Sequence, residues 1–196
     1  MSNTKFFIEV GTSDFNTLEP LAEQGWNGIF IEPDNWYLKN LKRYDGCHYE
    51  QIAISDYTGT SKFYAFDGRW VDDKNEQWIR GTGNIDTCNS QNQYPDWPQV
   101  EFKVDVYKLQ DVIEKYNVEK IDFLKIDTEG NDYNIITGYD FRVRPKMIKI
   151  ESEHLHHRTD VHIGPNGVEE FKQYIINELK YSVHEEERDW WLFDSA

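Results

Sequence analysis

Cysteine is scarce in this sequence: Cys47 and Cys88 are the only two among 196 residues, and they form no CxxC pair. A disulfide framework needs several cysteines, and a zinc site built from cysteines needs closely spaced pairs. The composition argues against both. Two free thiols in a reducing cytosol are the simplest interpretation.

Long apolar runs and positive charge are also in short supply. No stretch reaches the ~18 apolar residues of a membrane span, and the N-terminal residues enter a predicted strand without the basic and apolar regions of a signal peptide. The 21 Lys and Arg residues face 36 Asp and Glu residues, which gives a formal net charge of −15. Such a chain repels nucleic-acid phosphates and anionic membranes. We therefore expect a cytoplasmic protein with neither as its main partner, and the oligomeric state stays open.

Short apolar strands alternate with helical patterns over most of the chain. With 196 residues, 38% of them hydrophobic, the chain can form a single domain with a sizeable core. The alternation predicts a doubly wound, mostly parallel sheet with helices on both faces and an antiparallel pair at its edge. Strands are predicted at residues 5–10, 28–33, 49–55, 61–66, 100–106, the start of 121–132, 146–151, 180–186 and 190–194, and helices near 15–24, 34–44, 108–117, 132–138 and 167–179.

Residues 67–100 interrupt this alternation and look like an irregular, aromatic-rich insertion. Trp70, Trp78, Tyr94 and Trp97 occur there among glycine, asparagine, aspartate and proline. The aromatic rings can stack on the faces of a sugar or can form a small satellite core. Of these two interpretations we favour a lid that covers the acceptor substrate, because long irregular insertions in compact domains are often functional.

Acidic and hydroxyl side chains follow five of the predicted strands. Open α/β sheets bind ligands outside the carboxyl ends of their strands. Glu32 lies 21 positions after Gly11, close to the ~20-residue spacing at which an acid meets the ribose of a nucleotide. The residues at these ends are Glu9 and Gly11, then Glu32, then Ser55 and Asp56, then Asp127 and Glu129, and finally Glu151.

The stretch "IDFLKIDTEGND" (121–132) combines an apolar strand with several charges. A buried charge without a partner is costly, so we interpret Lys125 as the ion-pair partner of a neighbouring acid, Glu9 or Glu151. Asp127 at the strand end is interpreted as functional. Glu129 either belongs to the site or holds the turn at Gly130.

Five segments together resemble the FkbM family of S-adenosylmethionine-dependent methyltransferases. They are "FIEVGTSDFNT", "IFIEPDNWYLKNL", "QIAISDYTGT", "VDVYKLQDVIEKYNVEKIDFLKIDTEGNDYNIITGY" and "PKMIKIE". The most specific part is "IDFLKIDTEG" with "TGY" downstream. The resemblance covers roughly residues 5–151 and implies a class I (Rossmann-like) fold: a seven-stranded, mostly parallel sheet with an antiparallel last strand. It also implies O-methylation, often of a sugar or natural-product hydroxyl. Many relatives carry a second glycine where this chain has Phe15, so we expect its loop to approach the cofactor differently.

Each part of S-adenosylmethionine can be matched to predicted strand ends. Glu32 can accept two charge-assisted hydrogen bonds from the ribose diol, and backbone N–H groups of residues 11–14 can bind the methionyl carboxylate. Glu9 or Asp127 would face the amino group, and residues 54–56 would border the adenine. The predicted cofactor contacts are Glu9, Gly11, Thr12, Ser13, Asp14, Glu32, Pro33, Ile54, Ser55, Asp56 and Asp127.

The candidates for catalysis lie after the fourth and fifth strands. Asp127, Glu151 and His154 could surround a divalent cation such as Mg²⁺, because adjacent strands lie ~4.8 Å apart. Alternatively, His154 or Asp127 acts as the base toward an acceptor hydroxyl. The interpretation that we favour is a polar acceptor-side loop without metal, carrying four histidines: His154, His156, His157 and His162. The candidate catalytic residues are Asp127, Glu129, Glu151 and His154.

We predict in-line transfer of a methyl group to an oxygen of a small-molecule or glycan acceptor, in which the protein chiefly positions the two reactants. Two other classes stay open. A nicotinamide-dependent oxidoreductase can share this type of sheet, although the lack of a GxGxxG motif and the presence of "LKIDTEG" argue against it. A non-catalytic binding module could have kept the fold, an alternative that Phe15 leaves open.

Overall fold

The computed structural model describes residues 4–15, 17–74, 79–85, 94–156 and 167–195, without the side chains of His154 and His156. The strands are β1 (Phe6–Val10), β2 (Asn27–Ile31), β3 (Cys47–Glu50), β4 (Ala53–Ser55), β5 (Gly59–Phe66), β6 (Asn84–Ile85), β7 (Gln99–Lys108), β8 (Phe123–Ile126), β9 (Met147–Glu151), β10 (Tyr181–Glu186) and β11 (Asp189–Asp194). The helices are α1 (Glu19–Glu23), α2 (Asn35–Leu38), α3 (Gly68–Lys74), α4 (Leu109–Lys115), α5 (Asp132–Gly138) and α6 (Gly167–Asn177), and a 3-10 turn spans Glu153–His156.

Seven strands form the larger sheet, in the order β10-β11-β9-β8-β1-β2-β3. The strands β3, β2, β1, β8 and β9 pair in parallel. Strand β11 pairs antiparallel with both β9 and β10, so it alone runs against the other six. The chain therefore has an α/β fold built on a mixed sheet, with β10 and β11 pairing antiparallel at the edge as predicted.

Two apolar layers cover the two faces of this sheet. Successive strand residues point to opposite faces, and along β1 Ile8 and Val10 pack in one cluster while Phe7 packs in the other. All three side chains are buried, as expected for a parallel strand covered on both sides. This coverage makes the carboxyl ends of the central strands the place where polar side chains can meet a ligand.

A second, four-stranded sheet was not predicted. Its order is β4-β7-β5-β6. The strand expected at 49–55 breaks after Glu50, so β3 stays in the larger sheet and β4 joins the smaller one in parallel with β7. Strand β5 pairs antiparallel with both β7 and β6. A single residue, Gln51, separates β3 from the buried apolar residues Ile52, Ala53 and Ile54, so the sequence does not mark the break between the two sheets.

Four of the five predicted helices are shorter than expected, α1 and α2 most of all. Helix α1 carries Pro20 in its first turn, a position that proline favours. The predicted N-cap of α2 is confirmed: the carboxylate of Asp34 accepts a hydrogen bond from the backbone N–H of Trp36 at 2.7 Å. The longest described helix, α6, has 11 residues, and none of the described helices is long and apolar enough to cross a membrane.

The 67–100 segment is more regular than predicted, since it contains α3 and β6. The ring centroids of Trp70 and Trp97 lie 5.0 Å apart, and those of Tyr94 and Trp97 lie 4.4 Å apart. These rings pack against a small apolar cluster that includes Val71 and Ile79. The packing matches the satellite core, the alternative to a lid of free aromatic rings; Trp78 lies outside the described residues.

Candidate functional site

A cleft that is partly open to solvent lies at the carboxyl ends of β1, β2, β4 and β8. Of the predicted cofactor contacts, the described lining contains Gly11, Glu32, Pro33, Ile54 and Asp127. The larger sheet supplies the floor of this cleft, and residues of the second sheet close it from the other side.

Gly11 brings the ends of β1 and β8 into close contact. Its backbone has a φ of +75°, and a Cβ atom placed there would lie 1.9 Å from the carbonyl oxygen of Asp127. Only glycine combines this φ with so close an approach of another backbone. The turn that begins at Gly11 therefore depends on this residue, whereas Phe15 is exposed and does not line the cleft.

The backbone N–H groups of the loop after β1 donate mostly to other residues of the protein, which corrects the prediction that they bind a methionyl carboxylate. The N–H groups of Gly11 and Thr12 donate to the carbonyl oxygen of Ile31, at 2.9 and 3.2 Å. The N–H of Ser13 donates to the carboxylate of Glu32 at 2.7 Å. Three of the four N–H groups expected to bind a methionyl carboxylate are thus used within the protein, because the loop folds back onto the end of β2.

Glu32 is a buried carboxylate on the wall of the cleft. Besides the N–H of Ser13, it accepts the N–H of Asp34 at 2.8 Å. Burial raises the pKa of Glu32 to about 8, against the opposing effect of these two backbone donors. The site therefore holds an acid that is mostly protonated at neutral pH and that lines the cleft.

Lys125 and Glu9 form a buried ion pair across β1 and β8, where they are register partners. The ammonium of Lys125 lies 3.1 Å from Glu9 Oε1 and 3.1 Å from Asp127 Oδ2, and it also donates to Thr17 Oγ1 at 3.1 Å. The predicted pairing with Glu9 is confirmed, whereas the second acid is Asp127 rather than Glu151.

This geometry also corrects the role expected for Glu9. Its side chain is fully buried, and its other carboxylate oxygen accepts the backbone N–H of Leu18 at 3.2 Å. Glu9 is therefore occupied in holding the loop between β1 and α1, and it does not face the cleft. Asp127 is the one of the two predicted amino-group partners that lines the cleft.

Asp127, Glu129 and Glu151 form an acidic cluster whose carboxylate oxygens lie within 4.8 Å of one another. Burial, together with the negative charges of Glu129 and Asp127, raises the pKa of Glu151 to about 10. Glu151 therefore holds its proton at neutral pH. The side chain of His154, the third expected metal ligand, lies outside the described part of the chain, so its roles as ligand or base stay predictions.

Asp132 supports this cluster, a role that sequence reasoning missed. Its carboxylate accepts the N–H and hydroxyl of Thr128, at 3.2 and 2.6 Å, and the N–H of Glu151 at 3.2 Å. Burial raises the pKa of Asp132 to about 6. It joins the turn after β8 to the end of β9. Its only signal in the sequence was its place among the many charges of residues 121–132.

Of the residues at the end of β4, some line the cleft and others belong to the framework around it. Ile54 lines the cleft, but the Ser55 hydroxyl is buried and donates to the Asp56 carboxylate at 3.2 Å. Asp56 packs closely against Gly138: a Cβ atom added to Gly138 would lie 2.6 Å from the Cβ of Asp56. Neither Ser55 nor Asp56 is among the described lining residues. The side chain that fills this corner is Asn131, whose amide donates to the carbonyl of Ile54 at 2.7 Å.

Residues 79–85 form the wall that closes the cleft from the second sheet, and we call them the closing segment. Arg80 forms ion pairs with Asp14 and Asp72, and its guanidinium lies 5.0 Å from the ring centroid of Tyr37. Asp14, expected at the cofactor, thus fastens the closing segment to the loop after β1. No periodic pattern in the sequence indicates this wall.

Comparison with known proteins identifies the family of this chain. A family model described as "Methyltransferase FkbM domain" matches residues 9–184. No curated protein matches. The matched range starts in β1, ends in β10 and includes every predicted site residue.

We predict that replacing Lys125 leaves buried acids without a partner. Lys125→Met should lower the free energy of unfolding by ~3–5 kcal/mol, the usual cost of removing one member of a buried pair. Chemical denaturation measures this. The exposed pair of Lys42 and Glu23 gives the control, and Lys42→Met should change the free energy of unfolding far less.

The double variant Lys125→Met/Glu9→Gln should recover part of the loss, because it removes the stranded charge of Glu9 as well. A cost of Lys125→Met as small as that of the control would contradict the buried ion pair.

Proposed function

Because the chain belongs to the FkbM methyltransferase family, we propose that it transfers the methyl group of S-adenosylmethionine to a hydroxyl oxygen of a sugar or a related small molecule. The observation that carries this proposal is the cleft at the ends of β1, β2 and β8, with the buried carboxylate of Glu32 on its wall. The strand order of the larger sheet, with β11 alone reversed, supports a class I arrangement.

The lining residues fit the parts of this cofactor. Glu32 offers carboxylate oxygens to a ribose diol, and Pro33 and Ile54 offer apolar surface to an adenine. Asp127 lines the other end and suits a cationic amino group. When bound, S-adenosylmethionine supplies a methyl group on a sulfonium centre that leaves as a neutral thioether. The chain then has to orient the two reactants and keep them in line.

Glu32 binds a diol best as a carboxylate, because charge-assisted hydrogen bonds are stronger than neutral ones. Its pKa of about 8 means that most of the free protein carries a proton there at neutral pH. Binding through the ionised form releases that proton. Cofactor affinity should therefore rise as the pH increases toward 8 and level off above it.

The acceptor proposal rests on charge and on the family. Asp127, Glu129 and Glu151 place negative charge beside the cleft, which disfavours polyanionic acceptors and favours neutral hydroxyl compounds. Asp127, whose side chain is 39% exposed, and His154 are the candidate bases. Glu151 holds its proton at neutral pH because of its pKa of about 10, so it does not accept one from the acceptor.

A divalent cation such as Mg²⁺ is a second, separable element of the proposal. Three carboxylates are ligands of the kind that Mg²⁺ prefers, and a cation among Asp127, Glu129 and Glu151 would offset their mutual repulsion. It would displace the proton of Glu151. The proposal of methyl transfer does not depend on this cation.

We predict that the protein binds S-adenosylmethionine and that Glu32→Ala weakens binding about tenfold to hundredfold, through loss of hydrogen bonds to a charged group. Isothermal titration calorimetry measures both dissociation constants, and thermal melting checks that the variant is folded. Glu23→Ala, at an exposed acid, is the control and should change nothing.

Equal affinity in wild type and Glu32→Ala would remove Glu32 from the site. Binding of NAD but not of S-adenosylmethionine would favour the oxidoreductase. Binding without a methylated product from any acceptor would favour the non-catalytic module.

We predict that methyl transfer, followed with a radiolabelled methyl group, goes to neutral sugars or other small hydroxyl compounds and not to RNA. Running the same panel with Mg²⁺ and with EDTA tests the cation. If the acidic cluster binds Mg²⁺, titration at pH 7.5 should release a proton, because Glu151 is protonated below its raised pKa. Calorimetry in two buffers of different ionisation enthalpy detects this release.

Glu151→Gln carries no titrating proton and should abolish the release. Full activity in EDTA, with no heat of Mg²⁺ binding, would remove the cation and leave methyl transfer intact. Transfer to RNA or protein alone would contradict the acceptor proposal.

A further inference from the structure

Asn84 occupies the wall of the cleft opposite the larger sheet. It belongs to the two-residue strand β6, pairs with Tyr64 of β5, and is only 5% exposed. Its side-chain amide Nδ2 donates to the carbonyl oxygen of Glu129 at 2.7 Å. One end of this side chain is therefore fixed to the turn that follows β8, and the residue itself lines the cleft.

The other end of the Asn84 amide, its buried Oδ1, faces no donor in the part of the chain that the structure describes. The orientation of the amide is set by Glu129, because the reverse orientation would place two acceptor oxygens together. A buried acceptor left unsatisfied costs free energy, so an acceptor of this kind on a cleft wall indicates a ligand donor.

The closing segment is held in place, so this oxygen is presented at a defined position. Arg80 is four residues before Asn84 and forms ion pairs with Asp14 on the loop after β1 and with Asp72 on α3. The side chains of Arg80 and Asp14 are largely withdrawn from solvent, whereas that of Asp72 is 40% exposed. The segment that carries Asn84 is thus joined to the same loop that Gly11 begins.

We propose that Asn84 Oδ1 accepts a hydrogen bond from the α-ammonium group of S-adenosylmethionine, an inference that rests on the proposed function. The order β8-β1-β2 separates Asp127 from Glu32 and Pro33 by the width of β1. If Glu32 binds the ribose, the methionyl end extends toward Asp127, and the bond to Glu129 places Asn84 at that end.

The chemistry of an ammonium group matches this position. An ammonium has three N–H donors and needs several acceptors. Asp127 alone does not supply them, because its Oδ2 already lies 3.1 Å from the ammonium of Lys125. Asn84 adds a neutral acceptor that does not increase the repulsion within the acidic cluster. The geometry thus assigns two wall residues to one cationic group.

The experiment compares two ligands that differ in the amino-acid end. S-adenosylhomocysteine carries the ammonium, whereas 5′-methylthioadenosine has the same adenosine without it. In calorimetry, Asn84→Ala should weaken S-adenosylhomocysteine about tenfold to hundredfold and change 5′-methylthioadenosine less than about twofold. Asn84→Leu, which keeps the size of the side chain but has no acceptor, should do the same. Asn177→Ala on the exposed face of α6 is the matched control.

The ratio of the two affinities within one variant is independent of how much of the sample is folded, and melting of the free variant checks the fold. Equal losses for both ligands would overturn the assignment to the ammonium group, and no loss for either would overturn a cofactor contact altogether. Failure of the wild type to bind either ligand would instead contradict the proposed function, which keeps the two failures distinguishable.

Discussion

The buried ammonium of Lys125 joins the parts of the site. It lies between the carboxylates of Glu9 and Asp127 and also donates to Thr17, so a single charge connects β1, β8 and the loop before α1. The desolvation of such a group is costly unless its partners are well placed. The contact of Gly11 with the carbonyl of Asp127 holds the same two strand ends together from the backbone side.

Much of the site follows from this arrangement. Because Glu9 is occupied by Lys125 and by the backbone of Leu18, it is withdrawn from the cleft. Because the loop after β1 folds onto Ile31 and Glu32, the N–H groups of the loop are used within the protein, while Glu32 lines the cleft. The side chains at the ends of β1, β2 and β8 that line the cleft then remain available to a ligand.

The sequence predicted those features that depend on local pattern and on the cost of buried charge. Short apolar runs placed most strands of the larger sheet, and the rule that a buried lysine needs an acid gave Glu9 or Glu151 as its partner, of which the structure has Glu9. The second sheet could not be predicted in this way, because β6 has two residues and no period. The same limit applies to Asn84, whose place in the cleft results from pairing with β5 across 20 positions of sequence. The inward direction of the loop N–H groups depends on the φ of Gly11 and on the approach of Ile31, neither of which leaves a residue pattern.

If the ends of β1, β2 and β8 and the closing segment form one cofactor site, bound S-adenosylhomocysteine should slow hydrogen exchange there, because a ligand that binds only the folded state slows local opening around its site. Exchange measured with and without this ligand should become slower in residues 11–15, 31–34, 79–85 and 127–131, with β10 and β11 unchanged. Protection confined to β10 and β11, or no protection at all at saturating ligand, would contradict a single cofactor site at these strand ends.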